Sequence, residues 1–277
     1  PDIIYVNEAA PGSADGSSWD NAYTTLQAAL AAAGDGHQIW VATGTYYPTD
    51  SGDRSISFQM KNGVAIYGGF AGNEDPSEFN LDDRNFTVNE TILSGDIGTP
   101  GDDSDNSYHV IKNSGLGSTA ALNGFTITGG KADGAYGGSE RKGGGMYNDD
   151  SCPILTNVTF SGNTAGDDGG GMYNISNSNP ALTNVTFSGN TAGFAGGLYN
   201  YNSSPTLTNV TFSENSVTGT AGGMFNISNS CPVLNHVTFS RNSAGNRGGG
   251  MVNHDGSSSP TLMNVTFNGN TAGYGGG

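Results

Sequence analysis

Positive charge is scarce in this chain: nine Lys and Arg stand against 25 Asp and Glu, a formal charge of −16 at pH 7. Such a surface repels a phosphate backbone and an anionic bilayer, so nucleic acid is not a fitting partner. Long apolar runs are missing as well, and without about 18 consecutive apolar residues there is no transmembrane segment. Cysteine is limited to Cys152 and Cys231, too few for a disulfide framework. Helical periodicity is confined to one stretch near the start. Charged residues make up only 12% of the 277, yet 34% are hydrophobic, a balance that is globular rather than disordered.

Glycine and a repeated phrase dominate instead. The 46 glycines lack the strict every-third spacing of collagen and cluster with Asn, Ser and Thr, which predicts many turns between short strands. The phrase "GGGMYN" occurs at Gly143 to Asn148 and at Gly169 to Asn174, then returns as "AGGLYN", "AGGMFN" and "GGGMVN". Its closing residues Asn148, Asn174, Asn200, Asn226 and Asn253 are spaced by 26, 26, 26 and 27 residues. A proline follows each of them, at Pro153, Pro180, Pro205, Pro232 and Pro260, and after it comes "ILTNVTFSGNTAG" or a variant. An earlier, looser copy is "ALNGFTITGGKAD", Ala121 to Asp133.

A fixed period of this size signals a solenoid or a propeller. Each unit holds three short β-prone pieces, "GMYN", "PILTNV" and "TFSGN", and no helical pattern. A propeller blade needs about 40 residues for its four strands, so the shorter unit predicts a right-handed parallel β-helix of three-sided coils. The regular repeats span 106–277, and 1–105 form a cap with early, irregular coils of the same continuous domain.

Stacked coils place each residue beside its counterpart about 4.8 Å away, so repeated positions become columns. Val158, Val185, Val210, Val237 and Val265 form one core column, and Phe160, Phe187, Phe212, Phe239 and Phe267 another on the same face. Met146, Met172, Leu198, Met224 and Met251 also point inward. Asn163, Asn190, Asn215, Asn242 and Asn270 suit left-handed bends and amide ladders. Glycines before the Met column permit a tight turn where a Cβ would clash. Those runs are not a phosphate cradle, because no strand-then-helix context surrounds them. Cys152 and Cys231 fill one slot three coils apart, about 14 Å, beyond the reach of a disulfide.

The start differs. Ser17 to Gly36 predicts a helix with Ser18 or Asp20 as N-cap and Tyr23, Leu26 and Leu30 on one face, a lid for the first coil. "QIWVATGTYYP", "SISFQM", "VAIYGGF" and "TILSGDI" read as strands of early coils. At the far end "AGYGGG" stops where another "MYN" is due, which predicts that the last coil is covered by further repeats or by a neighbouring subunit.

The alternation of "F-S-G-N" with "G-G-G-M" resembles the repeat of the polymorphic outer membrane protein family and related bacterial surface β-helix proteins, over about Asn106 to Gly277. The N-terminal run "SSWDNAYTTLQAAL" through "TILSGDI" is similar to the opening of secreted bacterial pectin-lyase-like proteins. The resemblance implies secretion, cell-surface display and an adhesive or structural role, with no catalytic residues to carry over.

Three functional readings follow. An adhesive or structural solenoid, a stalk or filament segment, would use a stripe of Tyr147, Tyr173, Tyr199 and Phe225, continued by Val252, pointing outward to bind glycan or another solenoid. A polysaccharide lyase or glycoside hydrolase would need clustered carboxylates for calcium and a basic residue. Its candidates are Asp149, Asp150, Asp167 and Asp168 with Arg141 and Lys142, or Asp96, Asp102, Asp103 and Asp105 with Arg84. Calcium is the one cofactor these acids suggest. Ice binding would use the outward pairs Thr159 with Ser161, Thr186 with Ser188, Thr211 with Ser213 and Thr238 with Ser240, although the fifth coil has Asn268 in place of Ser. The triplets at Asn157, Asn184, Asn209 and Asn264 match an N-glycosylation pattern only because the repeat spells it.

Overall fold

A computed structural model describes residues 2–277. Every paired strand in it runs parallel to its neighbour, and the strands stack into three sheets that wind around one core. With each turn stacked on the last and right-handed crossings the rule for parallel strands, the chain is a right-handed parallel β-helix. The longest sheet starts at Ile3–Val6 and continues through Ala121–Thr128, Ile154–Ser161, Thr206–Ser213 and Val233–Ser240 to the last coil. A second sheet holds Met146–Asp149, Met172–Ile175, Leu198–Tyr201 and Met224–Ile227.

The pieces expected as separate sides, "PILTNV" and "TFSGN", run on as one strand in most coils. Asn157 sits inside Ile154–Ser161 with φ 53°, a left-handed kink. That kink resets the alternation, so Leu155 and Val158 both face the core although they are three residues apart. Asn184, Asn209, His236 and Asn264 repeat it. A third sheet of mostly two-residue strands, such as Thr164–Ala165 and Thr191–Ala192, fills a corner that the pattern did not predict.

The columns are present. Phe160, Phe187, Phe212, Phe239 and Phe267 stack with centroids 4.7 to 4.8 Å apart and planes within 6°. The Met column lies in the same core. From Asn113 through Asn148, Asn174, Asn200 and Asn226 to Asn253, each Nδ2 donates to the next Oδ1 at 2.9 Å. The Asn163 column forms a second buried ladder, but it does not take the left-handed bend expected of it. The left-handed bend falls one residue earlier, at Gly162, Gly189, Glu214, Arg241 and Gly269, and is separate from the kink of the Asn157 column. A serine ladder, Ser151, Ser178, Ser203, Ser230 and Ser258, lines the proline bend, each backbone N–H reaching the next hydroxyl.

The glycine before each Met is required by packing. A Cβ on Gly171 would lie 2.7 Å from the Gly197 carbonyl oxygen and 2.8 Å from the Phe187 ring. Two positions earlier the backbone is left-handed at Gly169, φ 66°, and Ala195 and Ala221 tolerate the same geometry.

The helix is shorter than its sequence suggests. It covers Leu26–Ala32, with Thr25 rather than Ser18 or Asp20 as N-cap, accepting from the Ala28 N–H at 3.3 Å. Tyr23 is drawn off the helix by a bridge to Val6. Leu26, Ala29 and Leu30 close the first coil as a lid. "SISFQM" makes only an isolated bridge, Phe58 with Ile111, while Phe58 and Met60 fill the core. Cys152 and Cys231 are both free.

Candidate functional site

The outer face of the second sheet gathers most of the residues expected to act. In Met172–Ile175 the strand alternation turns Met172 and Asn174 inward and Tyr173 and Ile175 outward. Tyr147, Tyr173, Tyr199 and Phe225 do leave the Met core and form a cluster of their own. They are not an exposed stripe: their exposures are 9%, 2%, 9% and 4%.

Their cover comes from the turn before each "GGGMYN". Lys142, Asp168 and Phe194 hold the same place in successive coils, joined by parallel bridges, and they overhang the column. Lys142 Nζ lies 5.3 Å from the Tyr173 ring centroid, and Phe194 meets Phe225 edge-on at 6.3 Å. Ala195 and Ala221 complete the cluster. Within the column the rings stack on one another at 5.5, 5.3 and 5.0 Å with planes 16 to 23° apart. Ring faces spent on each other cannot stack on a sugar. Burial pushes the Tyr147 phenol up to about 12, and Tyr173 and Tyr199 higher still, helped by the nearby Asp168.

The four acids do not converge. Asp167 accepts from Arg141 Nε at 2.9 Å, and Asp168 pairs with Lys142 at 3.7 Å. Asp149 ends its strand, and Asp150 is exposed with φ 49°. Among the described residues no three His, Cys, Asp or Glu are gathered so as to hold a metal. Asp168 is nonetheless unusual, since burial raises its carboxyl to about 6 against the pull of Lys142.

The second acid group is also structural. Arg84 is buried, donating to the carbonyls of Leu81, Gly68 and Asn123 and lying over the rings of Tyr67 and Phe86. Asp102 caps a short turn at Ser104, Asp103 pairs with Lys131 at 2.8 Å, Asp105 accepts from the Thr99 N–H and Asp96 from the Gly101 N–H. No base is left free beside these acids among the described residues. The Thr and Ser pairs form columns in register on the outer face of the long sheet, half-buried until the last coil.

Residues 157–174 match the Chlamydia polymorphic membrane protein repeat. This segment runs from the kink at Asn157 to the ladder residue Asn174, so one Pmp-like repeat contains the Phe column, both buried amide ladders and the glycine turn. Two crystal structures of pectin methylesterase from Aspergillus niger are similar in shape. In deglycosylated form the identity is 12% and the TM-score 0.48; in penultimately deglycosylated form they are 12% and 0.46. Each comparison covers 98% of this chain and 86% of the other. No curated protein matches the chain.

Outside the Pmp-like coils the structure reveals a feature that sequence reading missed. The sequence pattern places Tyr46 and Tyr47 together in a strand; the strand ends at Tyr46, which turns inward, and Tyr47 emerges beside a cleft of about 530 Å³. The signal was the proline directly after them, which ends the strand and leaves an aromatic at its edge.

Proposed function

We propose that this chain is a structural and adhesive β-helix module of a secreted or surface-displayed bacterial protein, a length of stalk whose regular faces make contact with surroundings. The observation that carries this reading is the uniformity of the Pmp-like coils. The same residues stack rung upon rung, with Phe rings 4.7 to 4.8 Å apart, and the acids and bases beside them are paired with one another. A surface repeated in this way provides length and multivalency rather than one reactive centre. The repeat match to a membrane-protein family and the charge of −16 suit an extracellular setting. No helix among the described residues is long and apolar enough to cross a membrane, which leaves β-barrel segments untouched.

Modules of this kind could also lengthen a stack by associating coil end to coil end. Light scattering on residues 1–277 tests the self-stacking form: mass that grows with concentration supports it, and a monomer at every concentration counts against it.

Display of the chain on a non-adherent bacterium tests the main proposal. Attachment under flow to glycan-coated or abiotic surfaces, above that of the bare strain, is the expected result. No gain on any surface, or steady release of sugar fragments from acidic polysaccharides, overturns it.

A further inference from the structure

The N-terminal end carries a cleft built by segments distant in sequence. Its walls are residues 24–27 at the entry to the helix, the strap 45–50 and the turn 96–100, with Glu8 beside them. Gln27 pins the strap: its Nε2 donates to the Pro48 carbonyl at 3.0 Å and to the Ser57 carbonyl at 3.2 Å. Tyr46 anchors it from inside, its hydroxyl donating to the Ala42 carbonyl at 3.1 Å. Tyr47 is thereby held as an aromatic wall, 44% exposed. In contrast to the stacked tyrosines of the coils, Tyr47 has no aromatic partner among the described residues.

Charge then decides what the wall faces. Glu8, Asp50 and Asp96 all line the cleft, and none forms an ion pair with a described residue. No Lys, Arg or His lines it. Asp96 is fixed by accepting the Gly101 N–H through both oxygens at 3.0 and 3.1 Å. Glu8 and Asp50 are exposed at the rim and Asp96 is half-buried, so the lining is negative without a basic counterpart and favours a cation over an anion. Threonine hydroxyls at Thr24, Thr25 and Thr45 add neutral hydrogen-bonding groups. The volume lies within the range of small-ligand sites, about 300 to 1,000 Å³.

We propose that this cleft binds a protonated amino sugar, a glucosamine-type unit whose ring stacks on Tyr47 and whose ammonium is drawn to the acidic lining that Glu8, Asp50 and Asp96 give the cleft. An aromatic wall takes the apolar face of a pyranose, and the carboxylates select the free amine over its acetylated form and over uronic acids. This assignment is independent of adhesion by the regular coils.

Isothermal titration of residues 1–277 at low salt tests it with four probes: glucosamine disaccharide, its N-acetylated counterpart, digalacturonate and spermidine. Saturable one-site binding of the glucosamine disaccharide is expected, at least tenfold weaker for the acetylated form and absent for digalacturonate. Tyr47→Ala and Asp50→Asn should each weaken binding about tenfold without changing Tm, while Glu214→Gln, on a distant coil, should leave it unaltered. No saturable binding of the disaccharide, spermidine binding as tightly as the sugar, or indifference to both cleft variants would overturn the proposal.

Discussion

Lys142 and Asp168 occupy the same rung on neighbouring coils, and their side chains meet at 3.7 Å above the buried ring of Tyr173. The pair is part of a roof over an aromatic column. Burial raises the Asp168 carboxyl to about 6, above its ordinary 3.8, so the folded protein holds this proton more tightly than the unfolded chain. Stability from this group is therefore greatest below pH 3.8 and declines as pH rises through about 6, by roughly 3 kcal/mol if the whole shift is expressed. Asp168→Asn should match the parent in acid and exceed it at neutral pH. Thermal melting of both from pH 3.5 to 8 gives the answer; a constant difference across that range would place the titration elsewhere.

The roof also explains what Tyr173 does. Tyr173→Ala removes a ring stacked on both sides and should cost about 3 to 5 kcal/mol. Tyr173→Phe should cost under about 1 kcal/mol, because the hydroxyl makes no hydrogen bond among the described residues. Urea denaturation of the two variants separates a packing ladder from a binding stripe: a stable Tyr173→Ala protein would argue against the ladder.

Asn190, like Asn215 and Asn242, uses both its amide donors and its oxygen within the ladder. It donates to the Phe160 carbonyl and Asn215 Oδ1, and it accepts from both the backbone N–H and Nδ2 of Asn163. Asn190→Leu should leave several buried groups unpaired and cost about 3 kcal/mol or more. Asn157→Gly, at the left-handed kink, should stay within about 1 kcal/mol of the parent, since glycine accepts that geometry. Equal losses in the two variants would contradict the roles assigned to these columns.

Gly171→Ala forces a methyl against the neighbouring coil and the Phe187 ring. The cost should be at least about 2 kcal/mol, with a broadened melting transition. Gly256→Ala is the control, because its added Cβ meets nothing within 4 Å. Similar melting of both variants would show that the coils can spread, which the stacked ladders argue against.

Much of the helix was legible in the sequence because a solenoid converts sequence period into spatial neighbourhood. Residues 25 to 28 apart become rungs, so the Val, Phe, Met and Asn columns could be written down from the repeat alone. The bend that the pattern places at Asn163 lies one residue earlier, at Gly162 and its counterparts, and the strand carries a second left-handed position at Asn157. Asn157 and Asn163 are both repeated asparagines whose amides bond to their counterparts, and only the backbone path shows which of them is left-handed.

The sequence by itself determined the coil, its period, its inward columns and its lid, since each depends on counterparts one repeat away. Tertiary structure decided exposure and site. The outward direction of Tyr173 follows from strand alternation, but its burial depends on Lys142 and Asp168 reaching across from the preceding turns. The cleft beside Tyr47 depends on four segments, around Glu8, Thr25, Tyr47 and Asp96, that no period relates. Alternation and repetition fix which way a side chain leaves the backbone, whereas what lies above it is set by where the irregular loops come to rest.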